Sequence, residues 1–312
     1  MRLLLTRMGN KVEYSLIKIL VGSKKLKIVT DSAADLIKAE ADSLGIEVAP
    51  LFIQFPEGEV NSKDITPDDF YQRLKNLAPK IPTTSQPSTG IFANIYQKLA
   101  DLGEEVISIH ISSGLSGTIE SAHLGASRLP GKLISMVDSL TLSGGERFQV
   151  LAAAIAARAG REKDFILDRL SKIRAATEVV YTLETLDYLQ RGGRIGRVEA
   201  LAGALLHIKP IIHVDKSDGK YSTIGKERTV PKALEMIANH ITRVYEKDTP
   251  LWVSVLHGQL AEQANKLAEL VQERVNIGKL EILRISPVLG VHTGPGIVGL
   301  AVVPIHLMEG LD

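Results

Sequence analysis

The sequence predicts an α/β protein, and three observations carry this prediction. Residues 104–122 (EEVISIHISSGLSGTIESA) pass from a β-branched apolar run through a Ser- and Gly-rich turn into helical spacing, which is the pattern of a buried strand followed by a helix. The same order of strand, hydroxyl-rich loop and helix occurs at 25–44 and at 132–159. These units predict an N-terminal domain with a mostly parallel sheet and flanking helices. A hairpin signal at 217–220 predicts a C-terminal mixed α/β domain.

The length of 312 residues suggests two domains rather than one. The character of the sequence changes at 177–182 (TEVVYT), and we place the domain boundary there. We therefore predict an N-terminal domain at 26–176 and a C-terminal domain at 177–312. Residues 1–25 carry six Lys or Arg and an apolar run that Lys18 interrupts, which makes a poor secretory signal. We interpret them as a loosely held N-terminal extension, or as the product of a start codon placed too early, with Met8 as the candidate start.

Composition excludes several classes of protein. The chain has 37 basic and 36 acidic residues, a net charge of +1 and no cysteine. The charge balance does not indicate a nucleic-acid partner. Without cysteine there is neither a disulfide nor thiolate chemistry, and a cytoplasmic location is favoured. No run approaches the roughly 18 apolar residues that a membrane-spanning helix needs.

The secondary-structure elements follow from local signals. The N-terminal half is predicted to contain strands at 25–31, 46–55, 104–111 and 132–137. Helices are predicted from after Leu36 to about Leu44, at 66–78, at 91–102, from 119, at 149–159 and up to about 175. The helix at 66–78 starts with Thr-Pro-Asp-Asp, which supplies a cap and acidic residues. Residues 79–88 contain three prolines and four hydroxyls and are predicted to form a loop. The C-terminal half is predicted to contain strands at 177–182, 205–214 and 251–256 and a helix at 261–274.

The hydroxyl-rich loops point to a ligand site. Open α/β sheets bind ligands at the carboxyl ends of their strands, so the three Ser/Thr loops and the proline-rich loop should face one crevice. At 112–118, hydroxyls meet the start of a helix, with Ser116 as the predicted N-cap and Ile119 as the first helical apolar residue. Such a place favours an oxyanion. The alternative is an ordinary β–α connection whose Ser and Gly residues only cap the helix.

Two further stretches in the second half are candidates for the same site. Arg191 precedes 192–197 (GGRIGR), where arginines around glycines could bind an anion or form a solvated turn. His292 stands beside the Thr-Gly-Pro-Gly of 293–296, where it could contact a ligand or only form a surface hydrogen bond. Both alternatives stay open on the sequence.

The motifs of several enzyme classes are missing. The sequence has no GxxxxGK[ST], no GxSxG, no HExxH and no carboxylate cluster with metal spacing. His110 lies inside a predicted strand and is not placed to activate Ser112 or Ser113. Hydroxyls without a base favour binding over catalysis. Two alternatives remain: an enzyme, either phosphotransferase or hydrolase, acting on a small phosphorylated metabolite through the same loops, and a regulatory protein that senses a small anion.

The chain resembles the DegV family of fatty-acid-binding proteins over about 26–305. The pieces that carry the resemblance are IVTDS at 28–32, TSQPS at 84–88, SSGLSGT at 112–118, VDS at 137–139, LQRGGRI at 189–195, IKP at 208–210 and HTGPG at 292–296. The combination of TSQPS with SSxLSGT is highly specific. Departures are few: Ala33 stands where a hydroxyl is common, Val291 stands where Thr is usual, and residues 1–25 have no counterpart in the family.

The resemblance implies a two-domain α/β protein that holds one long-chain fatty acid in an apolar tunnel between its domains, without metal or cofactor. It implies that Thr84 and Ser113 bind the carboxylate. Residues implied in the vicinity of the head group are Ser85, Ser112, Arg194, His292 and Thr293. Some members present the acyl group to a separate fatty acid kinase, so the chain itself is expected not to be an enzyme. The resemblance also allows peripheral membrane contact for lipid exchange.

Overall fold

The computed structural model describes residues 25–127, 129, 133–198 and 208–312. Residues 1–24 of the predicted extension lie outside the described part of the chain. So do Lys132, with which one predicted strand begins, and 205–207, with which another begins.

The N-terminal half alternates strands and helices. Its elements in chain order are β1 (Leu26–Asp31), α1 (Lys38–Leu44), β2 (Glu47–Ala49), β3 (Phe52–Phe55), β4 (Gly58–Asn61), α2 (Pro67–Leu77), β5 (Thr83–Ser85), α3 (Thr89–Asp101), β6 (Glu105–His110), α4 (Thr118–Ala126), β7 (Ile134–Asp138), α5 (Ser143–Arg158) and α6 (Lys163–Ala176). Four strands form a parallel sheet in the order β2-β1-β6-β7. A separate antiparallel sheet has the order β4-β3-β5.

The C-terminal half is a mixed sheet with helices. Its elements are β8 (Glu178–Leu183), α7 (Asp187–Arg191), β9 (Lys209–Val214), β10 (Tyr221–Glu227), α8 (Val230–Val244), β11 (Leu251–His257), α9 (Ala261–Gln272), β12 (Ile277–Arg284), α10 (Pro287–Thr293) and β13 (Ile297–Pro304). The six strands have the order β10-β9-β8-β13-β11-β12. The β11–β12 pair is parallel, and the other described pairs are antiparallel. The predicted fold class is therefore confirmed: an N-terminal parallel sheet and a C-terminal mixed α/β part.

Helix α5 joins the two large sheets. Almost all of its residues from Ser143 to Ala156 are buried, as expected of a helix that has apolar neighbours on every side. Its two glycines allow close packing: a Cβ on Gly144 would lie 2.7 Å from that of Ala301, and one on Gly145 would lie 2.7 Å from Val179 Cγ2. One hydrophobic core therefore runs from the parallel sheet through α5 to the mixed sheet. The domain boundary at 176/177 falls between α6 and β8 and stays a prediction.

Strand alternation decides which side chains reach the other helices. In β6, Ile107 and Ile109 face the core around α5, whereas Val106 packs with the residues of α3 and α4. Helices α8 and α9 cover the far face of the mixed sheet with a second apolar cluster. Among the described residues, no helix is both long and apolar enough to span a bilayer.

Most predicted elements are observed, and the differences have local causes. The apolar run 46–55 is two strands in two sheets, β2 and β3, because Pro50 has no N–H to continue a ladder. The proline-rich loop contains β5, which is possible because β5 is an edge strand. Helix α4 is capped by Gly117 rather than by Ser116. Helix α8 and the helix α10 around His292 were not predicted.

Candidate functional site

An apolar cavity lies between the mixed sheet and the N-terminal end of α5. Its empty volume is about 410 Å³, including its opening to solvent. It is lined by Leu142, Ser143, Val179, Val180, Tyr181, Tyr221, Leu256, Ile285, Leu289, Thr293, Ile297, Gly299 and Leu300. Gly299 stands opposite Tyr181 in the β13–β8 register. The walls are suited to hydrocarbon rather than to a polar metabolite.

A second cavity adjoins the first and has one polar end. Its empty volume is about 420 Å³, again including its opening. Leu142, Tyr221 and Leu289 line both cavities, so the two meet at these side chains. The remaining lining residues of the second cavity are Leu51, Thr84, Ile111, Leu115, Ser116, Arg194, Val288 and His292. The polar groups thus belong to the second cavity, beside an apolar first cavity.

Thr84 and His292 make the central contact of the polar end. Thr84 Oγ1 lies 2.8 Å from His292 Nε2. Strand β5 places Thr84, because Thr84 pairs with Ile53 of β3, and α10 places His292. Gly192 allows the GGRI segment to approach the imidazole, since a Cβ there would lie 2.3 Å from His292 Nδ1. The structure therefore brings together the predicted segments TSQPS, GGRI and HTGPG.

Burial sets the protonation state of His292. Desolvation, followed by the nearby positive charge of Arg194, lowers the pKa of His292 to about 4. The imidazole is therefore neutral at pH 7. Its Nδ1 atom is buried and has no hydrogen-bond partner among the described residues. Arg194 donates to Gly192 O at 2.8 Å, and within the described chain no ion pair joins it to a carboxylate. Arg194 is thus the positive charge that faces this cavity.

The loop after β6 contacts the TSQPS segment. A Cβ on Gly117 would lie 2.9 Å from Gln86 Nε2, and that nitrogen donates to Ser121 Oγ at 3.2 Å. Ser116 lines the second cavity, and its hydroxyl lies 2.8 Å from Thr118 Oγ1. The close approach at Gly117 thus brings the two segments into direct contact.

The other predicted site residues lie at different distances from the polar end. Ser113 is exposed and does not line either cavity; its backbone N–H donates to the Asp138 carboxylate. Ser85 bonds to Gln54 and Glu59 on the three-stranded sheet. The assignment of Ser113 to the carboxylate stays a prediction.

Ser112 and Thr293 both have their hydroxyl protons engaged by backbone oxygens. Ser112 is buried and donates to Gly219 O at 2.9 Å. Thr293 lines the apolar cavity, and its hydroxyl donates to Leu289 O at 3.0 Å. Two of the three hydroxyl loops and the proline-rich loop contribute to the cavities. The loop after β1 instead bonds, through Ser32, to Ser62 and the backbone of Leu51.

A Ser-His-Asp arrangement is present but sealed in the core. Asp31 Oδ2 lies 3.0 Å from His110 Nδ1, and His110 Nε2 lies 2.8 Å from Ser108 Oγ. These distances match those of a nucleophile with its base. However, all three residues are 0% exposed, and Ser108 also bonds to the Tyr96 hydroxyl at 2.8 Å. The arrangement satisfies buried polar groups, and neither of the two cavities described above is lined by Ser108.

A buried carboxyl group supports the wall of the apolar cavity. Asp35 accepts hydrogen bonds from Ser143 Oγ at 2.5 Å and from Ser286 N at 2.8 Å. Desolvation, only partly offset by these bonds, raises the pKa of Asp35 to about 6. Asp35 therefore links the end of β1 to the first residues of α5 and α10, both of which contribute to the cavities.

Sequence reasoning missed several residues of this site. The sequence indicates Ser116 only as a helix cap and does not single out the residues that line both cavities, Leu142, Tyr221 and Leu289. Tyr221 directly follows the predicted hairpin signal, which was the available clue. Burial raises the pKa of Tyr221 to about 12, so its phenol stays neutral. Within the described ranges, no group of three His, Cys, Asp or Glu side chains is arranged to hold a metal ion.

The sequence of the chain is similar to a family model and to known proteins. A family model described as "Uncharacterised protein, DegV family" matches residues 25–305. A DegV domain-containing protein of Deinococcus radiodurans is 35% identical over 277 residues, which cover 89% of this chain and 95% of the relative.

Two solved structures are similar to the chain over most of its length. The structure of a DegV family protein from Thermus thermophilus, described as showing fatty acid binding, has a TM-score of 0.84 and 30% identity, and the match covers 90% of this chain and 99% of that one. A stearic acid-binding protein from Eubacterium ventriosum has a TM-score of 0.79 and 27% identity, with coverages of 89% and 98%.

Proposed function

The chain belongs to the DegV family, and we propose that it binds one long-chain fatty acid, with the carboxylate at the polar end of the second cavity and the tail in the apolar cavity. The observation that carries the proposal is the position of Arg194, Thr84 and His292 in a cavity that adjoins an apolar one. Such a space with a single charged end matches the shape and polarity of a fatty acid.

Hydrogen bonding at the polar end suits a carboxylate. A carboxylate removed from water must be hydrogen-bonded or paired with a cation. If the proton of the neutral imidazole is on Nε2, His292 donates to Thr84 Oγ1, and the Thr84 hydroxyl proton is free for the ligand. We propose this arrangement, with Thr84 and Ser116 as hydroxyl donors and Arg194 as the counter-charge. It also leaves the buried Nδ1 of His292 without a proton, so no donor is left unpaired there.

The tail provides most of the affinity in this proposal. Each buried methylene contributes about 0.8 kcal/mol, so a long chain outweighs any single head-group bond. The alternative substrate, a small phosphorylated metabolite, would leave the apolar cavity unused. We therefore retain the lipid ligand, with no resident cofactor and with a cytoplasmic location, which the absence of cysteine favours.

The chain is further proposed to act without catalysing a reaction and to present its fatty acid to a separate kinase. Arg194 supports this step, because it is part of the polar end and is only half-buried. In a reconstituted assay with such a kinase, Arg194→Ala is expected to reduce acyl phosphate formation more than it reduces fatty acid affinity. Equal losses in both assays would place Arg194 in the binding site alone.

Native mass spectrometry tests the proposed ligand. Protein purified from a bacterial host, without added lipid, is expected to carry one fatty acid per chain, and organic extraction followed by mass analysis should identify it. Recovery of phosphate or of a sugar phosphate in place of lipid would favour the enzyme alternative.

A further inference from the structure

The turn between β9 and β10 contacts two of the segments that carry the polar end. We propose that this turn, residues 215–220 and here called the clamp turn, fastens the SSGLSG loop and the GGRIGR loop in position. Ser112 and Arg197 are then positioning residues for the ligand, rather than ligand contacts. This inference rests on the proposed function only where it concerns fatty acid affinity.

Ser112 holds the clamp turn from one side. Its hydroxyl donates to Gly219 O at 2.9 Å and accepts from Gly114 N at 3.0 Å. Its backbone N–H donates to Thr141 O at 2.8 Å. The residue is 0% exposed. Because its single hydroxyl proton is used by Gly219, Ser112 has no donor left for a carboxylate.

Two glycines allow this close contact. A Cβ on Gly114 would lie 2.6 Å from Asp218 O, and a Cβ on Gly219 would lie 1.9 Å from Ser112 Oγ. Gly219 also has a φ of +65°, a backbone conformation that residues with a side chain rarely adopt. The two loops therefore meet backbone to backbone, and a larger residue at either position would separate them.

Arg197 holds the clamp turn from the other side. Its guanidinium donates from Nη1 to Asp218 Oδ2 and from Nη2 to Asp218 Oδ1, each at 3.1 Å, and from Nη2 to Asp215 Oδ2 at 3.2 Å. A two-pronged Arg–carboxylate pair fixes orientation as well as distance. Arg197 lies three residues after Arg194, and Val198 N donates to Ile195 O at 3.0 Å within the same loop. Holding Arg197 therefore restricts the loop that places Arg194.

The clamp turn is itself held by short-range bonds. Gly219 N donates to Asp215 O at 2.7 Å, and Asp215 N donates to Lys220 O at 2.9 Å. The Ser217 hydroxyl donates to Asp215 Oδ1 at 2.7 Å. Tyr221, which lines both cavities, follows the turn directly. A rigid turn can thus fix Ser112, Arg197 and Tyr221 relative to one another.

Hydrogen exchange in the ligand-free protein tests the fastening directly. Ser112→Ala and Arg197→Met are each expected to speed amide exchange at 215–220 and also in the loop held from the opposite side, 192–198 for Ser112→Ala and 112–117 for Arg197→Met. Ser108→Ala, which removes another buried serine hydroxyl, and Lys266→Met, which removes an exposed ion pair with Glu269, are the matched controls. Neither control should change exchange in these loops. Exchange that rises only beside the substituted residue would overturn the proposal.

Fatty acid affinity tests the consequence for the ligand. With stearic acid as the probe, each single variant is expected to bind about three- to tenfold more weakly, the size of one lost hydrogen bond. The double variant should lose less than the product of the two single losses, because both residues act through one turn. Wild-type affinity in both single variants would refute the positioning role. If Ser112→Ala does not fold, Asp218→Asn, which weakens the bond of the clamp turn to Arg197, tests the fastening from the other side. Failure of the wild-type protein to bind any fatty acid would refute the proposed function, while the exchange result would still decide the fastening.

Discussion

Thr84 and His292 are 208 residues apart in the sequence, yet their side chains meet at 2.8 Å. The contact joins an edge strand of the small sheet to helix α10 of the C-terminal half. Residues from both halves of the chain therefore close the polar end of the second cavity. The contribution of Thr84 to fatty acid affinity and that of His292 to stability can each be measured.

The first prediction concerns the hydroxyl donors. Thr84→Val and Ser116→Ala should each weaken fatty acid binding roughly ten- to a hundredfold, since a charge-assisted hydrogen bond contributes about 1.5–3 kcal/mol. Binding should survive, because tail burial remains. Isothermal titration with stearic acid measures both variants, and Thr242→Val on α8, away from the cavities, is the control.

Ser113→Ala belongs in the same titration series. The exposed position of Ser113 predicts a smaller loss than for Ser116→Ala. A larger loss for Ser113→Ala would favour the assignment that the family resemblance implied.

The second prediction concerns acid sensitivity at His292. Its pKa is about 4 in the folded protein, against about 6.5 in the unfolded chain. Above pH 6.5 the imidazole is neutral in both the folded and the unfolded protein, so the full contribution of His292 to stability is present. As the pH falls from 6.5 to 4, only the unfolded chain takes up the proton, and on the order of 3 kcal/mol of stability is lost. Urea unfolding at several pH values should show a smaller acid loss for His292→Gln than for the wild type.

The third prediction concerns Asp35, whose contribution to stability changes with pH in the opposite direction to that of His292. Its pKa is raised to about 6 from 3.8, so the folded state keeps its proton more tightly than the unfolded state. The contribution to stability is complete below pH 3.8 and is lost as the pH rises through 6, again on the order of 3 kcal/mol. Relative to Asp35→Asn, the wild type should therefore gain stability as the pH falls from 7 to 4. A trend of the opposite direction would contradict the raised pKa.

The fourth prediction concerns the length of the tail. Leu289 lines both cavities, so Leu289→Phe should narrow the passage between them. The fatty acids that co-purify should shift to shorter chains, at about 0.8 kcal/mol for each methylene no longer buried. Leu270→Phe on α9 introduces the same change at a buried residue that lines neither cavity. Mass analysis of extracted lipid compares the two, and identical profiles would show that the passage is not where the tail lies.

Local patterns determined much of the fold. The cap at Thr66, whose hydroxyl accepts from Asp69 N at 3.1 Å, and the β9–β10 hairpin both follow from residues that are neighbours in sequence. The strand–loop–helix units do as well, because hydrophobic period and turn chemistry act over a few residues. The segments that form the polar end could likewise be named in advance, from their resemblance to a family.

The tertiary structure decided which side chains of each segment are buried, which are exposed and which line a cavity. In SSGLSG, the resemblance to the family implies Ser113 for the ligand, which stays a prediction. The tertiary structure buries Ser112 against the clamp turn, exposes Ser113 and places Ser116 in the lining of the second cavity. The low pKa of His292 arises from burial and from Arg194, 98 positions away in the printed sequence. By itself, the sequence determined the elements, the charge balance and the chemistry available in each loop. The assignment of that chemistry depended on burial and on contacts between distant residues, because desolvation and hydrogen-bond partners exist only once the two sheets have packed around α5.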